Sequence, residues 1–149
     1  MTRLRISTSI TAPIEDVYQH VTGFGANGLS SKKQTGLLYS ENIRQEGHEY
    51  VFSEDVRRYP DDPAEINTWR CTFEFPLQRT MRAVDSNWSH RTDTFRPDNA
   101  FTHWSIEWQT QDNFIRGLVK YIAFKIATNR VLKRQILDPV KEHFAKDFQ

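Results

Sequence analysis

Hydrophobic and polar residues alternate at the start of the chain, and the pattern then changes to a helical period. In residues 4–10 every second residue is apolar or Thr, which predicts a half-buried strand. Pro13 favours the first position of a helix, because its missing N–H would have no partner there. Apolar residues at helical spacing in 14–21 predict a short helix that ends at Gly23.

The middle of the chain is predicted to be all strand. The segments are residues 36–44, 47–57, 65–75, 77–85, 88–96 and 101–110. No helix separates them, so the sheet should be an antiparallel meander. Alternation places the following residues on the inner face: Tyr50, Phe52, Glu54, Trp69, Cys71, Phe73, Phe75, Trp104, Ile106 and Trp108. In 88–96 the orientation stays ambiguous, because Trp88 and Phe95 indicate opposite faces.

From Asp112 onwards the pattern predicts a long amphipathic helix, which Pro139 should kink or break near Asp138. Its basic residues are Arg116, Lys120, Lys125, Arg130, Lys133, Arg134 and Lys141. Such a helix can lie on an anionic membrane or contact a macromolecular partner. The alternative is a solvated basic face whose apolar stripe covers the sheet.

The order of strand, short helices, six-strand meander and long last helix resembles the helix-grip fold of the START/polyketide-cyclase/plant-allergen superfamily (SRPBCC). The sequence Ile-Thr-Ala-Pro-Ile-Glu-Asp-Val-Tyr at residues 10–18 and the aromatic strand at 102–108 carry the resemblance. It implies one α+β domain over residues 1–149, with a seven-stranded curved antiparallel sheet wrapped around a long C-terminal helix and two short helices after the first strand. It also implies that a lipid, polyketide or similar molecule is bound between sheet and helix.

Composition narrows the class of protein. The chain has 149 residues, the size of one domain, and 13% are aromatic, which excludes a disordered or collagen-like chain. Its 20 Lys and Arg against 19 Asp and Glu give no global attraction to nucleic acid, so no nucleic-acid partner is expected. No signal peptide or bilayer-spanning apolar run is visible, so we expect a cytoplasmic protein. The aromatic residues suit either the lining of a cavity or a bulky filled core.

We expect the ligand to contact the inner face and the last helix. The expected ligand-binding residues are Tyr50, Phe52, Glu54, Trp69, Phe73, Trp104, Trp108, Leu118 and Ile122. Glu54 lies among aromatic neighbours that could raise its pKa into the range of general acid–base catalysis, or it pairs with Arg79. His90 is predicted to point inward. Glu54, His90 and Arg79 are the candidates for orienting a polar group or for catalysis, and none is assigned as catalytic.

Charged residues on two neighbouring strands allow two interpretations. Arg79, Arg91 and Asp93 could form a polar end of the cavity, or cross-strand ion pairs on the surface, which are more common. Cys71 is the only cysteine and lies in an apolar strand, so its thiol should be unreactive.

Two other motifs predict no cofactor and no metal. Residues 23–28 match the dinucleotide fingerprint G-x-G-x-x-G, but a helix precedes the glycines and no βαβ unit follows. They are therefore interpreted as a turn between two short helices. The five histidines have no metal-ligand spacing.

Three functions follow from the sequence. The first is binding of an apolar or aromatic small molecule. The second is a polyketide cyclase/aromatase-like enzyme that uses acid–base groups in the cavity. The third is a membrane or macromolecular interaction module that acts through the basic last helix. The sequence leaves the oligomeric state open.

Overall fold

The computed structural model describes residues 2–29, 41–55, 61–63, 66–84, 88–110, 114–123, 125, 127 and 129–146. The strands are β1 (Thr2–Ile10), β2 (Phe24–Gly25), β3 (Gly28–Leu29), β4 (Glu41–Glu46), β5 (Glu49–Asp55), β6 (Ile66–Glu74), β7 (Gln78–Ala83), β8 (Trp88–Asp98) and β9 (Phe101–Thr110). The helices are α1 (Ile14–Thr22), α2 (Phe114–Ala123) and α3, which consists of the consecutive segments Asn129–Leu132, Lys133–Leu137 and Asp138–Lys146.

Seven of the strands form one curved antiparallel sheet in the order β1-β9-β8-β7-β6-β5-β4. The neighbours β4 to β9 follow chain order, which is the predicted meander, and β1 adds to its end by pairing with β9. The C-terminal helix α3 has 18 residues. The α+β class and the sheet are therefore as predicted.

The glycine-rich segment after α1 ends that helix and forms a small hairpin. Gly23 has φ 67° and its N–H donates to the carbonyl of Gln19, a left-handed helix end that favours glycine. Residues 24–29 form the two-stranded β2–β3 hairpin. The second short helix expected after β1 would have to lie beyond this hairpin, and residues 30–40 are outside the described part of the chain.

Pro139 lies at the start of the last segment of α3, directly after a widened turn. Residues Lys133–Leu137 are π-helical, and the N–H of Asp138 donates to the carbonyl of Lys133. A proline removes one donor from the helical ladder, and a π-turn is one way in which a helix absorbs such a defect. The interruption predicted near Asp138 takes this form.

The buried side chains form two clusters on one face of the sheet, which we call the inner face. In the first, α1 and α3 cover β1, β8 and β9, and its members include Val17, Trp104 and Leu137. The second lies on β5, β6 and β7 and consists of Phe52, Trp69, Cys71 and Met81. Phe73 packs against both clusters, so the inner face is continuous from β1 to β5.

Candidate functional site

The strand register aligns the predicted inner-face residues. Tyr50 lies opposite Cys71, which in turn lies opposite Met81 on β7. Met81 lies opposite Arg91 on β8, which lies opposite Trp108 on β9. Because residues directly opposite in a sheet point to the same side, the faces predicted for the described side chains of β5, β6 and β9 are confirmed. The ambiguity in β8 has a physical cause: the register shifts by one residue between Trp88 and His90, which is a β-bulge.

A cluster of charged residues lies buried on this face, and we call it the Asp93 cluster (Asp93, Arg79, Arg91 and Trp104). Arg79 Nη2 donates to Asp93 Oδ2 at 3.1 Å. Arg91 donates from Nε to Oδ1 at 2.9 Å and from Nη2 to Oδ2 at 3.1 Å. Trp104 Nε1 also donates to Oδ2 at 3.1 Å. The carboxylate of Asp93 thus accepts four hydrogen bonds.

The Asp93 cluster lies inside the protein. The side chains of Arg79 and Asp93 are 0% exposed, and that of Arg91 is 12% exposed. The interpretation of these residues as surface ion pairs is therefore wrong, and the polar patch on the inner face is the arrangement that forms. Among the described residues, the charge partner of Arg79 is Asp93 on the neighbouring strand β8. The side chain of Glu54 lies outside the described part of the structure.

Asp93 stays ionised because its partners outweigh the effect of burial. Burial alone would raise the pKa of this carboxyl. The positive charges of Arg79 and Arg91, with the hydrogen bonds from Arg91 and Trp104, shift the pKa the other way, so that it lies below its ordinary value. With two guanidinium groups and one carboxylate, the cluster has a net positive charge.

Arg79 has donors that no described group accepts. Its Nε and Nη1 atoms are buried and have no hydrogen-bond partner among the described residues. An arginine keeps its proton even when buried, so these N–H groups cannot be removed by neutralisation. They are donors that an acceptor oxygen could satisfy.

Half-buried aromatic rings lie beside this arginine. Phe73, directly opposite Arg79 in the sheet, stacks on Phe24 with 4.6 Å between the ring centroids. Tyr50 packs edge-on against Phe73 at 5.4 Å. On the other side of Arg79, the guanidinium of Arg91 lies 5.7 Å from the Trp108 ring centroid. Flat apolar surface and unpartnered donors are therefore adjacent.

The ligand-binding residues expected from the sequence differ in their position. Phe52, Trp69 and Trp104 are buried in the two clusters, and the Nε1 atom of Trp69 has no partner among the described residues. Leu118 and Ile122 belong to neither cluster: they lie on α2 and are 49% and 48% exposed. The structure therefore brings the strand residues together but does not place these two beside them.

The inward orientation expected for His90 is wrong. His90 lies opposite Arg82 and Gln109, and its neighbour Arg91 is the residue that points inward. The β-bulge after Trp88 shifts the alternation, so His90 takes the outer face. The sequence signal for the buried Asp93 cluster was weak. It consisted of opposite charges on two consecutive strands, with Arg91 and Asp93 at alternate positions of one strand.

Two other buried groups, the thiol of Cys71 on β6 and the hydroxyl of Tyr18 on α1, are in their protonated forms. Burial raises the pKa of the Cys71 thiol to about 12. Burial also raises the pKa of Tyr18, whose hydroxyl donates to the carbonyl of Gln78 at 2.7 Å.

No group of three or more potential metal ligands occurs among the described residues. Of the described helices, none is long and apolar enough to cross a membrane.

A curved seven-stranded antiparallel sheet of this order, followed by an 18-residue C-terminal helix, is the helix-grip fold of polyketide cyclase-like proteins. The Polyketide_cyc-like protein Cgl2372 from Corynebacterium glutamicum has this fold, with a TM-score of 0.57, 13% identity, and coverage of 99% of this chain and 93% of its own. Protein NE0264 from Nitrosomonas europaea gives a TM-score of 0.62 at 10% identity, covering 98% and 96%.

A third structure with this fold is the di-domain ARO/CYC StfQ from the steffimycin biosynthetic pathway. Its TM-score is 0.56 at 18% identity, and the match covers 95% of this chain and 44% of StfQ. No protein-family model matches the chain, and no curated protein matches it in sequence. The identities to the solved structures are low, so the likeness is one of fold.

Proposed function

We propose that this protein binds an apolar or aromatic small molecule, such as a lipid or polyketide, on the inner face between the sheet and the C-terminal helix. An acceptor oxygen of this ligand accepts a hydrogen bond from the guanidinium of Arg79. The observation that carries it is the pair of buried Arg79 atoms, Nε and Nη1, without a partner among the described residues.

An unpartnered buried donor costs about 1–3 kcal/mol, and more for a charged group. A carbonyl, hydroxyl or carboxylate oxygen of a ligand would accept from Arg79 and offset that cost. The net positive charge of the Asp93 cluster favours a ligand with a negative or strongly polar acceptor. The half-buried rings of Phe24, Tyr50 and Phe73 would contact the apolar body of the same molecule.

The comparisons support this class of ligand by fold alone. The fold is shared with the Polyketide_cyc-like protein Cgl2372 and with the ARO/CYC protein StfQ of the steffimycin biosynthetic pathway. The described inner-face groups do not favour the acid–base alternative. Asp93 is ionised and saturated with donors, while the pKa values of Cys71 and Tyr18 are raised far above neutral.

The binding test uses anilinonaphthalene sulfonate, a dye that combines aromatic rings with an anionic acceptor. The wild-type protein should bind it saturably. Arg79→Met should weaken binding by about tenfold or more, since a hydrogen bond to a charged group contributes about 1.5–3 kcal/mol. Arg82→Met is the matched control, because Arg82 lies on the same strand but is exposed on the outer face. It should leave dye affinity unchanged.

A second probe separates the arginine from the apolar surface. A neutral aromatic dye without an acceptor oxygen should bind the wild-type protein and Arg79→Met equally. Circular dichroism and urea unfolding establish that each variant is folded. Absence of saturable binding in the wild-type protein would refute the binding function. Equal affinity of folded Arg79→Met for the sulfonate dye would remove Arg79 from the site.

A further inference from the structure

Helix α2 presents apolar side chains to solvent. Six of the ten large apolar side chains exposed in the described part of the chain lie between residues 115 and 131, and five of the six are on α2. Ile115 is 73% exposed and Val119 is 62% exposed. Of the α2 residues whose side chains are described, none belongs to either core cluster. Apolar surface concentrated in this way marks an interaction site more often than scattered single residues do.

Four of the exposed apolar residues of α2 form one side of the helix. At 3.6 residues per turn, Ile115, Leu118, Val119 and Ile122 follow the i, i+3, i+4, i+7 spacing and lie together. Arg116 is also exposed and borders this apolar side, about 100° around the helix from Ile115. Just after the helix, the Lys125 ammonium lies 5.5 Å from the ring centroid of Tyr121. The helix therefore combines a continuous apolar side with flanking cations.

The charge around α2 has a single sign. From Asn113 to Leu137 the sequence contains six Lys or Arg and no Asp or Glu. Since the whole chain has a net charge of only +1, the rest of the chain is net negative. Two copies of this segment would repel each other if their apolar sides met. The segment would also repel any other cationic surface.

We propose that α2 docks the protein on the surface of an anionic lipid bilayer. A helix with an apolar side and a basic polar side lies in the headgroup region, where the apolar side chains enter the acyl boundary and the cations meet lipid phosphates. The surface does not include the inner-face ligand site, so the docking stands independently of the proposed binding function. The sequence already raised a membrane contact for the basic amphipathic helix, and the structure adds that the apolar side of α2 is exposed.

The apolar contribution is tested by flotation with phosphatidylcholine vesicles that contain phosphatidylserine. Leu118→Ser combined with Ile122→Ser should weaken vesicle binding by about tenfold or more. Leu77→Ser combined with Val84→Ser is the matched control, because both residues are exposed apolar side chains away from α2. The control should bind like the wild-type protein. Equal binding by both double variants would refute insertion of α2.

The charge contribution is tested with a second pair of variants. Lys125→Glu combined with Lys133→Glu should weaken binding by at least about tenfold, because each cation near an anionic surface contributes about fivefold. Arg3→Glu combined with Arg96→Glu changes the net charge equally but on exposed residues of the sheet, and should retain most of the binding. Wild-type protein should not float with pure phosphatidylcholine vesicles, and equal binding to both kinds of vesicle would contradict the role of charge.

Other occupants of α2 give different results. A polarity-sensitive dye attached at Val119→Cys reports on the helix specifically, because the native Cys71 is buried. Its emission should shift to the blue only when anionic vesicles are added. A blue-shifted dye without vesicles would mean that α2 is covered by protein, and sedimentation velocity would then distinguish a second copy from the chain's own sheet. Either outcome would overturn the proposal.

Discussion

Replacement of Asp93 by alanine should destabilise the protein more than removal of either cation that it binds. Asp93 lies between two guanidinium groups and accepts hydrogen bonds from Arg79, Arg91 and Trp104. Without its carboxylate, Arg79 remains as a fully buried charge and Arg91 as a charge with only 12% of its side chain exposed. No other described carboxylate forms an ion pair with either cation.

The expected magnitudes follow from these contacts. Removing one partner of a buried ion pair costs about 3–5 kcal/mol, out of a typical total stability of about 5–15 kcal/mol. Arg79→Met should cost less, about 1–2 kcal/mol, because Asp93 keeps both hydrogen bonds from Arg91 and the one from Trp104. The substitution also removes the buried Nε and Nη1 donors that have no described partner, and this gain offsets part of the cost.

Urea unfolding followed by tryptophan fluorescence measures both variants, with equal denaturant slopes confirming comparable unfolding. Asp93→Ala should have the lower midpoint. An equal or larger loss in Arg79→Met would refute the central position of Asp93. A loss below about 1 kcal/mol in Asp93→Ala would show that its neighbours are solvated rather than buried.

The pH dependence of this contribution has a definite sign. The pKa of Asp93 is lowered in the folded protein from its ordinary value of 3.8. A lowered folded-state pKa gives stability that is fully present above the unfolded value and is lost as the pH falls through the folded value. The difference in unfolding free energy between wild type and Asp93→Asn should therefore be constant from about pH 8 to about pH 5 and shrink below about pH 4. A difference that shrinks already near neutral pH would contradict the lowered pKa.

Two further substitutions and one thiol reaction test separate features of the structure. Gly23→Ala should lower the unfolding free energy by about 1 kcal/mol in thermal melts, because position 23 has φ 67°; an unchanged melting temperature would contradict that geometry. Tyr18→Phe should lower the urea midpoint by the equivalent of about 1 kcal/mol, because it removes the 2.7 Å hydrogen bond to the Gln78 carbonyl. Cys71, with its pKa raised to about 12, should react with a thiol-specific disulfide reagent only after unfolding, and fast reaction of the native protein would show that the thiol is accessible.

The inner face could be predicted because period-two alternation directly encodes which side of a strand is buried. From Trp69 to Phe73 on β6 and from Trp104 to Trp108 on β9, apolar residues occupy every second position, so the face is unambiguous. On β8 the bulge after Trp88 inserts one residue, and alternation cannot reveal such an insertion. The inward orientation predicted for His90 is wrong for this reason.

The sequence offered the Asp93 cluster as one of two alternatives but could not decide between them, because its energetics depend on which strands are neighbours and what covers them. Arg79 and Asp93 are 14 residues apart in the chain, and charged side chains are usually exposed, which favoured surface ion pairs. The exposure of α2 had a similar cause. Helical spacing indicates that one side of a helix is apolar, but not whether protein, lipid or solvent contacts that side.

Within the Asp93 cluster, the contribution to stability and the proposed contribution to ligand binding come from different residues. A buried ion cluster is on average no more stable than well-packed apolar residues of similar volume, so stability alone gives little reason to keep it. Arg91 and Trp104 already supply three of the four donors to Asp93, and Arg79 supplies one while its Nε and Nη1 stay without described partners. The donors of Arg79 therefore exceed what the carboxylate uses. If they serve the ligand, Arg79→Met will reduce affinity for an anionic aromatic molecule far more than it reduces stability, whereas Asp93→Ala will reduce both.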